Sequence, residues 1–346
     1  MKRVAAMLMS VVLCFSLSGC AKNEDNEEQS VKPAPDFVPL TEIVEGRKNV
    51  YLIVKILENS SYWDVIIDGA RDGGVDFDCN VYYSGSYVET DWESHERLLD
   101  DAAKAGADAI ILAPNDSVSL SEKIDEVYDM GIPIVLIDTI ANTDSYDVCY
   151  MTDNLMAGQK AAAEMISLLR KNGASDSDSI QIGIQVGATS SLTIIERLAG
   201  FFQYWSKNAP ATWEIIPDIK CNEGSVDKAV ECAEELLEYP DLKGVFGTNN
   251  GSTVGFARVI GEQERKDIAV VGFDYSEEMA ELIDNDEYIV STILQKQYDM
   301  GYTGVGSAID IINGKEMSVK FADTGVVVVN KDTIDQAEVQ QALLHN

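Results

Sequence analysis

The chain has 346 residues, 46% hydrophobic and 25% charged, which is enough apolar material for a sizeable core and for two domains. Lys and Arg total 26 against 59 Asp and Glu, a formal charge of −33. That excess argues against nucleic acid as a partner, because phosphates would be repelled, and against lying flat on an anionic membrane; it reads as the solvated acidic surface of an exported protein.

In chain order, the first twenty residues read as an address. Lys2 and Arg3 precede an apolar run over 4–18, which at about 15 residues is too short for an ordinary membrane span of about 20. The run closes on Leu17-Ser18-Gly19-Cys20, which resembles a bacterial lipobox. Residues 1–19 are then a lipoprotein signal peptide and Cys20 the lipidated start of the mature chain; an ordinary signal peptide with an incidental Cys20 is the alternative. Residues 20–48 read as an acidic tether, with Glu24, Asp25, Glu27 and Glu28 together and Pro33, Pro35 and Pro39 spread through it.

From residue 49 strands and helices alternate. Strands are expected over 50–56, 78–83, 108–113 and 132–137, and helices over 62–73, 92–105 and 120–130. Gly106 and Gly131 each follow a helix, where a left-handed cap is needed. A second set has strands over 147–151, 180–186, 213–216, 244–247, 268–272, 289–294 and 325–329. Its helices are expected over 155–170, 191–207, 226–237, 252–261 and 300–312, with another starting at Ser276. Such strand–helix repeats specify an α/β fold of two doubly wound, parallel-sheet lobes. The stretch 268–277, IAVVGFDYSE, stands out: a run buried on both faces ends in Asp274, and ligands of open α/β sheets bind at strand carboxyl ends.

Cysteine and histidine usage removes other chemistries. Apart from Cys14 and Cys20, the chain has Cys79, Cys149, Cys221 and Cys232, with no metal-finger spacing; a Cys221–Cys232 disulfide is one option outside the cell. Only His95 and His345 exist, which disfavours a His-based metal site or triad, and no Gly-rich nucleotide fingerprint occurs. Neither a cofactor nor a metal is expected.

Several stretches carry a family resemblance: KILENSSYWDVIIDGA at 55–70, AIILAPND at 109–116, GIPIVLID at 131–138, TDNLMAG at 152–158, ERLAGF at 196–201, GVFGTNN at 244–250, VVGFDYS at 270–276 and TILQKQYDMG at 292–301. In this order, over 49–330, they resemble the type 1 periplasmic binding proteins of the ribose and galactose group, the sugar-capturing components of ABC importers. The resemblance implies a three-crossover hinge, with one lobe from 49–152 plus 296–323 and the other from 153–295 plus 324–346. It implies a ligand between the lobes, contacted by Asn59, Tyr62, Trp63 and Asp138 from the first and by Arg197, Asn249 and Asp274 from the second, with Gln295 at the hinge. Lys55 joins them where the family often has a small polar residue. Thr139 stands where ribose binders commonly carry Arg, and Ser60-Ser61 where a Pro is frequent, so ribose itself is in doubt; a neutral sugar or polyol comes first and an acidic sugar second.

These residue types suit a sugar, whose hydroxyls both donate and accept and whose C–H face packs on aromatic rings. Each has a plainer reading. Asp138 and Asp274 could cap following helices, Tyr62 and Trp63 could be core, Arg197 could pair at the surface, and either Asn249 or Asn250 could face the ligand. Three functions follow: a solute-binding lipoprotein, anchored by Cys20 outside the cytoplasmic membrane and serving an ABC permease; a receptor subunit for a membrane sensor kinase; or an extracellular glycosidase using Asp138 and Asp274. The first is the expectation, with no enzymatic activity.

Overall fold

The computed structural model describes residues 36–57, 61–189 and 191–344. The expected signal peptide, Cys20, Asn59 and His345 lie outside them. In chain order the elements of the first half are β1 (Val38–Pro39), β2 (Asn49–Ile56), α1 (Ser61–Asp76), β3 (Asn80–Ser86), α2 (Trp92–Lys104), β4 (Ala109–Leu112), α3 (Ser121–Asp129), β5 (Ile134–Ile137) and β6 (Val148–Met151). There follow α4 (Asn154–Lys171), β7 (Ile180–Val186), α5 (Leu192–Asn208), β8 (Trp213–Ile215), β9 (Lys220–Cys221), α6 (Val226–Leu237), β10 (Leu242–Gly247), α7 (Asn250–Glu262), β11 (Ala269–Phe273) and α8 (Glu277–Asp284). The chain ends through β12 (Ile289–Gln295), α9 (Gln297–Ile312), β13 (Phe321–Asp323), β14 (Val326–Asn330) and α10 (Ala337–Leu343).

Two sheets result. One runs β1-β3-β2-β4-β5-β6-β13, parallel except for β1; the other runs β14-β12-β11-β10-β7-β8, parallel except for β14, with β9 paired to β7. The central strands β4, β5 and β11 are apolar throughout because both faces are covered. Along β2, Val50, Leu52 and Val54 enter one core while Tyr51 and Ile53 enter the other. Along β11, Ala269, Val271 and Phe273 divide in the same way from Val270. Among the described residues the chain passes between sheets after β6, after β12 and after β13, with α9 packed on α1, β4 and β5.

The structure differs from expectation at the tether. Residues 37–48 fold onto the first sheet: β1 pairs with Tyr82 and Tyr83 of β3, Phe37 sets its ring edge-on to Tyr51 at 4.8 Å, and the Leu40 N–H bonds Val81 O at 2.8 Å. Phe37 and Leu40 supply the apolar surface that the surrounding polar composition concealed. Pro39 is tolerated because the strand is an edge. The strand expected at 78–83 begins later, since Asp78 is left-handed at φ +53°. The short β9, β13 and α10 had not been expected.

One helix crossing bears on the cleft. A Cβ on Gly158 of α4 would stand 2.0 Å from the carbonyl oxygen of Arg197, and one on Gly200 of α5 would stand 2.0 Å from that of Leu155. Glycine at both positions lets α4 and α5 touch backbone to backbone, and this fixes where the Arg197 side chain starts.

Candidate functional site

A cleft of about 670 Å³ opens between the two sheets. It gathers Lys55, Tyr62, Trp63 and Asp138 from the first and Arg197, Asn249, Asp274 and Gln295 from the second, every expected residue among those described. Lys55 is the penultimate residue of β2, Asp138 follows β5, Asn249 lies just beyond β10, Asp274 follows β11 and Gln295 ends β12. The site therefore stands on strand carboxyl ends, as open α/β sheets require.

Asp138 and Asp274 occupy matching places. Both are left-handed, at φ +61° and +65°, a conformation uncommon for a residue with a side chain and often found at functional sites. Each donates its N–H to the next strand, Asp138 to Tyr150 O and Asp274 to Ile293 O, both at 2.9 Å. Neither caps a helix. Asp138 leads into a loop before β6, and the cap of α8 is Ser276, whose hydroxyl takes the Met279 N–H at 3.3 Å.

Their surroundings differ sharply. Asp138 is saturated from within its own lobe. Its Oδ1 accepts the Tyr62 hydroxyl at 2.6 Å, and its Oδ2 accepts the Thr139 hydroxyl at 2.7 Å and the Lys55 ammonium at 2.7 Å. Lys55 also donates to Thr139 Oγ1 at 2.7 Å, so four side chains close one network. Burial pushes the Asp138 carboxyl up, but the Lys55 charge and the three donors outweigh it and hold the group below its ordinary range. The same burial, with the charge of Asp138 beside it, raises the Tyr62 phenol and keeps it a donor.

Asp274 is buried, and no cation among the described residues forms an ion pair with it. Its Oδ1 accepts the Gln295 amide at 3.0 Å and the Gln297 amide at 3.4 Å, while Oδ2 has no hydrogen bond among the described residues. Burial pushes its carboxyl up to about 6 despite the lowering influence of Arg197 and Gln295. A half-satisfied carboxylate of this kind is an acceptor awaiting a donor.

Arg197 is 4% exposed, which excludes the surface-pair reading. Its Nε donates to Asn154 Oδ1 and its Nη1 to Thr248 O, both at 2.8 Å, and the guanidinium lies 4.0 Å from the Phe273 ring centroid. Tyr62 and Trp63, edge-to-face at 4.9 Å, satisfy both readings at once: they belong to the core and they line the cleft. Asn249 caps α7, its Oδ1 taking the Ser252 hydroxyl at 2.6 Å; Asn250 lines the cleft as well. Cys221 and Cys232 carry free thiols. His95, wholly buried, is pushed down to about 4 by burial and by the Lys55 charge, and so stays neutral.

Four supports went unread in the sequence as parts of the site: Thr139, Asn154, Thr248 and Gln297. The first had registered only as a departure from the family pattern. Asn154 and Gln297 sit inside motifs already singled out, and Thr248 contributes a backbone oxygen, which residue type cannot signal.

Known proteins share this fold. A profile of the periplasmic binding protein domain matches residues 50–316. The ribose import binding protein of Bacillus subtilis is 26% identical, over 63% of this chain and 68% of its own. The carbohydrate transporter solute binding protein of Agrobacterium radiobacter, solved with D-arabinose, superposes with a TM-score of 0.79 at 22% identity, over 86% of this chain and 99% of that one. An ABC transporter solute binding protein of Agrobacterium vitis with bound D-fucose gives 0.74 at 27% identity, over 84% and 98%. With the profile covering residues 50–316 and both lobes superposing on known structures, the chain belongs to the periplasmic binding protein family, in its type 1, sugar-binding group.

Proposed function

We propose that the chain is the extracytoplasmic binding component of an ABC importer, capturing a neutral sugar or polyol between two closing lobes and presenting it to a permease. The observation that carries the ligand class is the Lys55–Asp138 pair. Lys55 is the cation that could have drawn an acidic sugar, and it is neutralised in place, 7% exposed and 2.7 Å from its carboxylate. Around it the cleft lining is net acidic: Glu89, Asp227, Asp274 and Glu278 against Arg197 and Arg258, the last bonded to Glu278 at 2.8 Å. An anionic ligand would meet repulsion there.

In this reading Asp274 Oδ2 accepts a ligand hydroxyl, Arg197 donates, and Trp63 presents its ring to the apolar C–H face. The names of the relatives support the importer role, since they are called import and transporter proteins. The lipobox at 17–20 supports an anchor on Cys20 at the outer face of the membrane. The reading is tested by a thermal-shift screen of D-ribose, D-allose, D-arabinose, D-fucose and galactitol, with D-galacturonate as the acidic comparison. A ligand present at 100 times its dissociation constant adds about 2.7 kcal/mol. One or more neutral compounds should shift the melting temperature by several degrees and galacturonate should not. A shift by galacturonate alone would overturn the ligand class.

A further inference from the structure

Gln297 opens α9 and is 1% exposed. Helix α9 packs on α1, β4 and β5 in the first lobe, whereas Asp274 follows β11 in the second. The Gln297 Nε2 nevertheless reaches Asp274 Oδ1 at 3.4 Å, beside the Gln295 amide at 3.0 Å on the same oxygen. The other end of the Gln297 amide, Oε1, is buried with no partner among the described residues. Burying a primary amide is costly unless both ends are bonded. No structural network accounts for this one, and its single side-chain bond among the described residues leads to the cleft carboxylate.

We infer that Gln297 is a positioning residue for Asp274, reaching across the lobe crossing to clamp Oδ1 together with Gln295 and so turn Oδ2 toward the ligand. The inference rests on the cleft being the ligand site, not on which ligand enters it. The 3.4 Å contact is longer than the usual N–H···O range of about 2.7–3.2 Å, so it has room to shorten as the lobes approach. Gln297 thus couples the acceptor in one lobe to a helix of the other. The charged and titratable groups around Asp274 are Arg197 on α5, Asp138 beyond β5 and Tyr62 on α1; Gln297 adds a neutral donor to that set.

The test needs no ligand. Carboxyl titration by 13C NMR on the unliganded full chain compares the wild type with Gln297→Met, which keeps the volume and removes the amide. Losing a donor disfavours the carboxylate, so the Asp274 midpoint should move up while that of Asp138 stays as an internal reference. Gln297→Glu, which places a like charge there, should move it further the same way. The unliganded melting temperature of Gln297→Met should hold, because the variant also removes an unsatisfied oxygen; a merely structural amide would lose stability and leave the midpoint alone. With any sugar that binds the wild type, Gln297→Met should dissociate about tenfold faster, as expected for one bond to a charged group. An Asp274 midpoint unchanged in both variants would overturn the inference. Failure of every sugar to bind would count against the proposed function and leave the titration result standing.

Discussion

Lys55→Met is the most informative single change, because it strands a buried carboxylate while leaving the volume nearly constant. Asp138 would keep the Tyr62 and Thr139 hydroxyls at 2.6 and 2.7 Å and lose the only cation within bonding distance among the described residues. The cost has a ceiling. Asp138 can escape by protonating, and protonating a carboxyl of ordinary value 3.8 at pH 7 costs about 4 kcal/mol. The two remaining hydroxyl bonds support the anion, so about 3 kcal/mol is expected, in the range for breaking a buried pair on one side. For lobes of this size that lowers the melting temperature by roughly 6–12 °C.

The pH dependence has a definite sign. In the wild type the Asp138 carboxyl is held low, so its stabilisation is present above the unfolded value and is lost as pH falls through the folded one. In Lys55→Met protonation becomes cheap toward pH 5, where the ceiling falls to about 1.6 kcal/mol, and the deficit should shrink accordingly. Lys55→Met/Asp138→Asn, which removes both charges, should recover most of the loss at pH 7, a coupling of about 2 kcal/mol in a double-mutant cycle. Differential scanning calorimetry at pH 7 and pH 5 reads all of this. A single variant melting within 2 °C of wild type at pH 7, or a double variant equal to the sum of the singles, would refute the neutralised-pair reasoning.

Asp274, raised to about 6, gives the opposite sign: in the unliganded protein its burial penalises stability as pH rises from about 4 through 6, and Asp274→Asn should abolish that slope in melting profiles. Ligand affinity should fall as pH drops below about 6 in the wild type and stay flat in the variant, by isothermal titration calorimetry. Gly158→Ala would place a Cβ 2.0 Å from the Arg197 carbonyl oxygen; we expect a loss of about 1–3 kcal/mol in melting and weaker binding, as α5 is pushed from its seat. Cys20→Ala should free the protein from the cell surface or leave an unprocessed precursor in fractionation blots, and a wild-type chain found in the cytosol would remove the anchor. Small-angle scattering with a saturating ligand should show the radius of gyration shrink if the lobes close.

The parallel sheets were legible because strands covered on both faces are written as unbroken apolar runs, such as 268–272, and the strand-end acids were legible from their place after such runs. The first-lobe edge was not. Residues 37–48 pack through Phe37 and Leu40, which are too sparse to show periodicity among acids and prolines. Nor could the sequence reveal that Asp138 is spoken for. Lys55 and Thr139 lie 84 positions apart, and only the fold sets them 2.7 Å from one another. Residue type told which groups can bond, and the folded chain decided which bonds remain open.

That distinction changes what each lobe contributes. Two aspartates share a strand-end position, a left-handed backbone and an N–H bond to the neighbouring strand, yet one is closed and the other open. Asp138 has its charge balanced and its lone pairs largely taken before any ligand arrives. The first wall is therefore pre-formed and offers the remaining N–H of Lys55 more readily than an acceptor. Asp274 faces the cleft with one oxygen unbonded among the described residues and a carboxyl that burial pushes up to about 6, so in the proposed function the second wall would supply an acceptor whose strength varies with pH. A hydroxylated ligand bridging the two walls would be oriented by this polarity, presenting an acceptor to the first lobe and a hydroxyl proton to the second. Since Gln295 and Gln297 both bond Asp274 from the crossing after β12, the proposed acceptor is tied directly to a segment that joins the two sheets.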